Sequence, residues 1–114
     1  AAVDETNEIV NALSGEEYFI VLGDFNVRFE SDEAAQAIIS AFASIGGVPC
    51  NCGAFGVFQT YRGSETAGTV NGALDNIFVS SNMTIKKVYM DATKIDAQLP
   101  IQDHVPLVAY LEII

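Results

Sequence analysis

Apolar positions recur with a helical period near the start of the chain and with a strand period near its end. Val3, Thr6, Ile9, Val10 and Leu13 fall at helical spacing, and Ser14-Gly15 supplies the stop. Tyr18 to Leu22 is a continuous apolar run, which predicts a strand buried on both faces. It breaks off at Gly23-Asp24-Phe25-Asn26, a polar loop at a strand's carboxyl end, where open α/β sheets tend to place their sites. A second helix is expected from Ser31, with Asp32 and Glu33 matching the positive end of its dipole. Ile38, Ala41, Phe42 and Ile45 form its buried stripe, and Gly46-Gly47 ends it. After a Gly-, Cys- and Asn-rich loop, Val57–Tyr61, Leu74–Ser80 and Thr84–Asp91 read as strands. The last strand runs from Val105 to about Ile113. Val105, Leu107, Ala109, Leu111 and Ile113 share one of its faces, and Val108, Tyr110 and Glu112 the other. Helix, strand, helix and then several strands is the order of an α/β sandwich half, not of an alternating nucleotide-binding fold.

Composition narrows this further. The 114 residues are 50% hydrophobic and only 18% charged, against about 25% charged in typical soluble domains. That is one domain's worth of chain at most, and it is apolar enough to exclude disorder. The excess apolar content points to a surface that something else covers. No stretch reaches the length of a membrane span, so no transmembrane segment is expected. The acidic, polar start shows no secretory signal, and the compartment is left open. Cys50 and Cys52 are one residue apart, too close for an unstrained disulfide and too few for a zinc site, and read as two ordinary thiols. A net charge of −10 removes the basic footprint of a bulk electrostatic nucleic-acid binder. It leaves room for a phosphate substrate whose charge a divalent cation neutralises.

Three segments place a carboxylate beside a strand end. In the first, Asp24 and Asn26 project to one side of an extended chain. A carboxylate with an amide suits a hydrated hard cation and a phosphate oxygen, although an Asx turn explains the same residues locally. In the second, Asp75 lies among strand residues, where burial demands a partner unless it faces solvent at a sheet edge. In the third, Asp103-His104-Val105-Pro106 precedes the last strand and holds the single histidine. A lone histidine is more often structural, but a buried Asp75 bonded to His104 would fix its tautomer and favour an imidazolium able to contact phosphate.

In order and spacing, FIVLGDFN at Phe19–Asn26, FQTY at Phe58–Tyr61, LDNIFVS at Leu74–Ser80 and QDHVP at Gln102–Pro106 resemble the carboxy-terminal half of the endonuclease/exonuclease/phosphatase superfamily. The resemblance spans nearly the whole chain. It implies an α/β fold, half of a four-layer deoxyribonuclease-like sandwich, with one mixed or antiparallel sheet and helices on one face. Residues 1–114 would then be the carboxy-terminal portion of such a domain. The implied activity is divalent-metal-dependent phosphoester hydrolysis of the phosphodiesterase or nuclease type, with Mg²⁺ or Mn²⁺. Asp24 and Asn26 would orient water and phosphate, with Asp24 also at the metal. Asp103 would be a metal ligand, His104 would stabilise the pentavalent phosphate, and Asp75 would orient His104. Thr60, with Asn26, would touch the phosphate.

Gln102 replaces the family's Ser, Ala73 stands where a basic residue is common, and Asn76 where an aromatic or His is. The last two weaken the case for a grip on DNA. Arg28 could restore some positive charge, or be an ordinary surface residue. The family's first-strand Asn, metal-ligating Glu and second His have no counterpart here, which implies an isolated chain that is inactive. An apolar sheet face is then expected to meet a missing amino-terminal half or a second copy. Two other functions stay open: the same fold acting on a lipid or inositol phosphate head group, and a non-catalytic binding or assembly module.

Overall fold

A computed structural model describes residues 2–61, 72–91 and 104–113. The elements follow one another as α1 (Ala2–Leu13), β1 (Ile20–Asp24), α2 (Glu33–Ala43), β2 (Gly47–Pro49), β3 (Asp75–Ser80), β4 (Met83–Met90) and β5 (Leu107–Ile113). The fold is mixed α/β, with two helices and antiparallel sheets, as expected of part of a deoxyribonuclease-like sandwich.

The strand that organises the molecule is β3, whose alternating side chains serve two cores. Phe78 points to the helices, where it joins Val10, Phe29, Ala35, Ile38 and Phe42. Ile77 and Val79 point the other way and pack with Cys50 against Met83, Ile85, Val88, Leu107, Ala109 and Leu111 of β4 and β5. A strand covered on both sides has no polar face to offer, which accounts for the consecutive apolar residues Ile77, Phe78 and Val79. On the helical side the rings of Phe42 and Phe78 stack at 4.1 Å, and Phe25 meets Phe78 edge-on at 5.5 Å. Gly47 lets β2 pass close to α2, because a Cβ there would come within 3.0 Å of the Phe42 backbone oxygen.

Four expectations are corrected. The strands form two sheets rather than one: a three-stranded sheet in the order β1-β3-β2 and the separate pair β4-β5. The pair lies across the face of β3 that carries Ile77 and Val79 instead of extending its edge. Second, β1 is not buried on both faces. Val21 packs on the helical core, but Ile20 is 47% and Leu22 70% exposed, because among the described residues nothing covers the half of the sheet face beyond β3. Third, residues 57–61 form no strand. Both backbone groups of Phe58 bond to the side chain of Asn51, so they are withdrawn from a ladder. Fourth, α2 starts at Glu33, with Asp32 extended at the cap position; the Asp32 carboxylate accepts from the Arg28 N–H at 2.8 Å and bonds no helix N–H. The two thiols are free, as expected. Among the described residues no helix is long and apolar enough to cross a membrane.

Two outcomes follow from this packing. Phe78→Ala removes the ring shared by the helical core and should destabilise the fold by about 3–5 kcal/mol in urea denaturation. Burial, with Cys52 beside it, pushes the Cys50 thiol from 9.0 up to about 11. The folded state therefore holds that proton more tightly than the unfolded chain. The stability this contributes is complete below the unfolded value of 9.0 and is lost as pH rises towards 11. Urea midpoints across that window should fall for the wild type and fall less for Cys50→Ala.

Candidate functional site

Strand register brings two carboxylates face to face. In the antiparallel pairing of β1 with β3, Asp24 lies directly opposite Asp75. Like charges at such positions repel, and here a histidine joins them. His104 Nδ1 lies 2.7 Å from Asp75 Oδ2, and its Nε2 lies 3.6 Å from Asp24 Oδ2. An ionised carboxylate can only accept, so Nδ1 carries the proton and donates it to Asp75. The three side chains are 37% (Asp24), 21% (Asp75) and 34% (His104) exposed, open enough to meet a ligand yet shielded at the Asp75 end.

Thr60 completes the arrangement. Its hydroxyl donates to Asp75 Oδ2 at 2.5 Å, and its oxygen accepts from the Asp75 N–H at 3.2 Å. The Thr60 carbonyl accepts from the Val105 N–H at 2.7 Å, and Tyr61 forms a backbone bridge with His104. The Tyr61 ring lies 5.4 Å from the imidazole. The segment around Thr60 therefore ties β3 to the chain that carries His104. Thr60, expected at a phosphate oxygen, is instead fully buried with its hydroxyl on Asp75.

Asp24 and Asn26 also differ from the extended-chain picture. Asn26 has φ 55, a left-handed conformation that Asn tolerates better than most residues, and its N–H donates to Asp24 Oδ1 at 2.8 Å. The Asx turn and the site are thus the same feature: the turn occupies Oδ1 and leaves Oδ2 facing His104. Asn26 is exposed at the rim of a cleft of about 390 Å³ between α1 and β1, which also takes in Asp24. A second cleft, of about 310 Å³, is lined by Asp75, His104, Val105 and Leu107 and shares Leu22 and Gly23 with the first.

Asp103 and Gln102 lie outside the described residues. Ala73 and Asn76 are both buried, and Asn76 lies at the wall of the second cleft. Arg28 lies against Gly72, where an added Cβ would collide with its guanidinium. Sequence reasoning missed Asn51, a fully buried amide bonded to Phe58 and to the Asp75 carbonyl.

Residues 2–104 match the Endonuclease/Exonuclease/phosphatase family. The chain belongs to that family. No curated protein and no solved structure gave a match. Membership of the endonuclease/exonuclease/phosphatase family points to phosphoester hydrolysis as the reaction class and to a phosphoester as the substrate class. Asp24, Asp75 and His104 are also the group of described residues whose ligand atoms, within 4.8 Å of one another, could surround a cation. Their bonds restrict that possibility: Asp75 Oδ2 and His104 Nδ1 are committed to each other and Asp24 Oδ1 to the Asn26 N–H, which leaves Asp24 Oδ2 and Asp75 Oδ1 as the carboxylate oxygens without a hydrogen bond in the contacts described.

Thr60→Val keeps the shape and removes the hydroxyl from a half-buried carboxylate. It should cost about 1–3 kcal/mol in urea denaturation, and Thr60→Ser should recover most of that loss.

Proposed function

We propose that this chain is the carboxy-terminal portion of a divalent-metal-dependent phosphodiesterase of the endonuclease/exonuclease/phosphatase family, with Asp24, Asn26, Asp75 and His104 in its active site. The observation that carries this reading is the pinning of His104 by Asp75 opposite Asp24, in a chain of that family. Hydrolysis adds water to phosphorus and expels an alkoxide, and negative charge builds on the non-bridging oxygens. Protonated on both nitrogens, His104 keeps Nδ1 on Asp75 and offers Nε2–H to one of those oxygens. Asp75 fixes the ring and Thr60 fixes Asp75. Asn26 offers its side-chain amide at the cleft rim for water or phosphate.

A hard cation prefers about six oxygen ligands. Asp24 Oδ2 suits it as one, and Asp103, next to His104 in sequence, supplies a second carboxylate. When bound, Mg²⁺ or Mn²⁺ would polarise the phosphoryl oxygens and lower the pKa of the attacking water. The exposed Ile20 and Leu22 support a face covered by the remaining half of the domain or by a second copy. The net charge of −10 favours a lipid head group, an inositol phosphate or a small phosphodiester at least as much as DNA.

The test is made on the full-length protein with bis(p-nitrophenyl) phosphate and Mg²⁺ or Mn²⁺. His104→Ala should lower turnover by about 10²–10⁴-fold while circular dichroism shows an intact fold. Undiminished turnover overturns the assignment. Plasmid DNA, sphingomyelin and inositol phosphates, compared under the same conditions, separate the substrate classes.

A further inference from the structure

The contacts described for His104 run to the two carboxylates and to the segment around Thr60 and Tyr61. Tyr61 is held by backbone bridges to Gly72 and His104, but the residues just before it belong to no strand. At Phe58 the setting is done by one side chain. The Phe58 N–H donates to Asn51 Oδ1 at 2.5 Å, and Asn51 Nδ2 donates to the Phe58 carbonyl at 2.8 Å. The same Nδ2 donates its second proton to the Asp75 carbonyl at 2.7 Å. A single amide thus joins residue 58 to the first residue of β3, whose side chain receives the Thr60 hydroxyl two residues further on.

Asn51 is itself held rigidly. It is fully buried, its N–H donates to Asn76 Oδ1 at 2.9 Å, and its carbonyl accepts from Asn76 Nδ2 at 3.3 Å. The orientation of its amide is unambiguous, because one N–H donor must face the oxygen and two carbonyls must face the nitrogen. The position is demanding in consequence. Asp would set a carboxylate oxygen against two carbonyls, Gln would be one methylene too long, and Ala would leave the Phe58 N–H and the Asp75 carbonyl without their partner and the Phe58 carbonyl with the Thr60 N–H alone.

We propose that Asn51 is a positioning residue for His104, which it governs through Phe58, Thr60 and Asp75 without touching either cleft. Asn51 ties residues 58–60 to β3, Thr60 holds the Asp75 carboxylate, and Asp75 selects the ring nitrogen that carries the proton. Loosening the first link lets the last one drift. The consequence for catalysis rests on the phosphodiesterase reading above, whereas the consequence for the ring does not.

The chain has one histidine, so its ring nitrogens can be read without ambiguity by long-range ¹H–¹⁵N NMR. At a pH where the imidazole is neutral, the wild-type ring should be predominantly Nδ1–H. Asn51→Ala should shift it towards Nε2–H, the form a free ring favours, and Asn51→Asp should do the same where the alanine variant does not fold. Phe42→Leu, which loosens the helical core without touching this network, should leave the tautomer unchanged. In the full-length protein, Asn51→Ala or Asn51→Asp should lower kcat for bis(p-nitrophenyl) phosphate by about 10–100-fold with little change in KM. A ring that stays Nδ1–H in a folded Asn51 variant overturns the proposal, as does an equal shift in Phe42→Leu. A wild-type protein that shows the expected tautomers but cleaves no phosphoester overturns the phosphodiesterase reading and leaves the role of Asn51 in setting the ring intact.

Discussion

Two negative charges placed opposite each other on neighbouring strands are the constraint around which the molecule is arranged. Asp24 and Asp75 owe their opposition to the β1–β3 register, and shifting that register by one residue would send every side chain of one strand to the other face. The register is secured by apolar alternation, with Val21 and Phe78 on the helical side and Ile77 and Val79 on the side of β4 and β5. The repulsion between the carboxylates is offset by donors brought from elsewhere in the chain. The Asn26 N–H goes to Asp24, while the Thr60 hydroxyl and His104 go to Asp75. Polar satisfaction and hydrophobic packing therefore require the same alignment.

The surroundings divide the labour between the two carboxylates. Asp75 receives a buried hydroxyl and an imidazole, and is the more enclosed of the pair. Asp24 lies at the end of an edge strand where two clefts meet. One is equipped to orient a neighbour and the other to meet something from solution. This asymmetry comes from the layers, because β3 is covered on both faces and β1 on one.

Much of this was legible in the sequence. Both helices and β5 followed from periodicity, since amphipathic stripes and alternating strands carry their burial in residue type, and β3 and β4 also read as strands. The carboxylates and the histidine stood out because ionisable groups beside apolar strands need partners. An apolar sheet face was expected, but that Ile20 and Leu22 carry it was not legible, because an apolar run reads alike whether or not a second layer covers it. The loss of a strand at residues 57–61 was hidden for another reason. Asn51 bonds to backbone groups of Phe58 and Asp75, and every residue offers those, so no feature of residues 58 or 75 signals the contact. The same holds for Thr60, whose hydroxyl suits a phosphate oxygen as well as a carboxylate until the fold shows that it is buried.

His104 lies three residues before the start of β5, and β5 is seated by Leu107, Ala109 and Leu111 on Ile77, Val79 and Cys50. That small apolar seam acts as the foundation on which the imidazole stands. Evolutionary drift within it, one methyl group gained or lost at a time, would be read out as a change in where His104 meets Asp24. Sequences can then diverge in the spacing of this cluster while every polar residue in it stays the same.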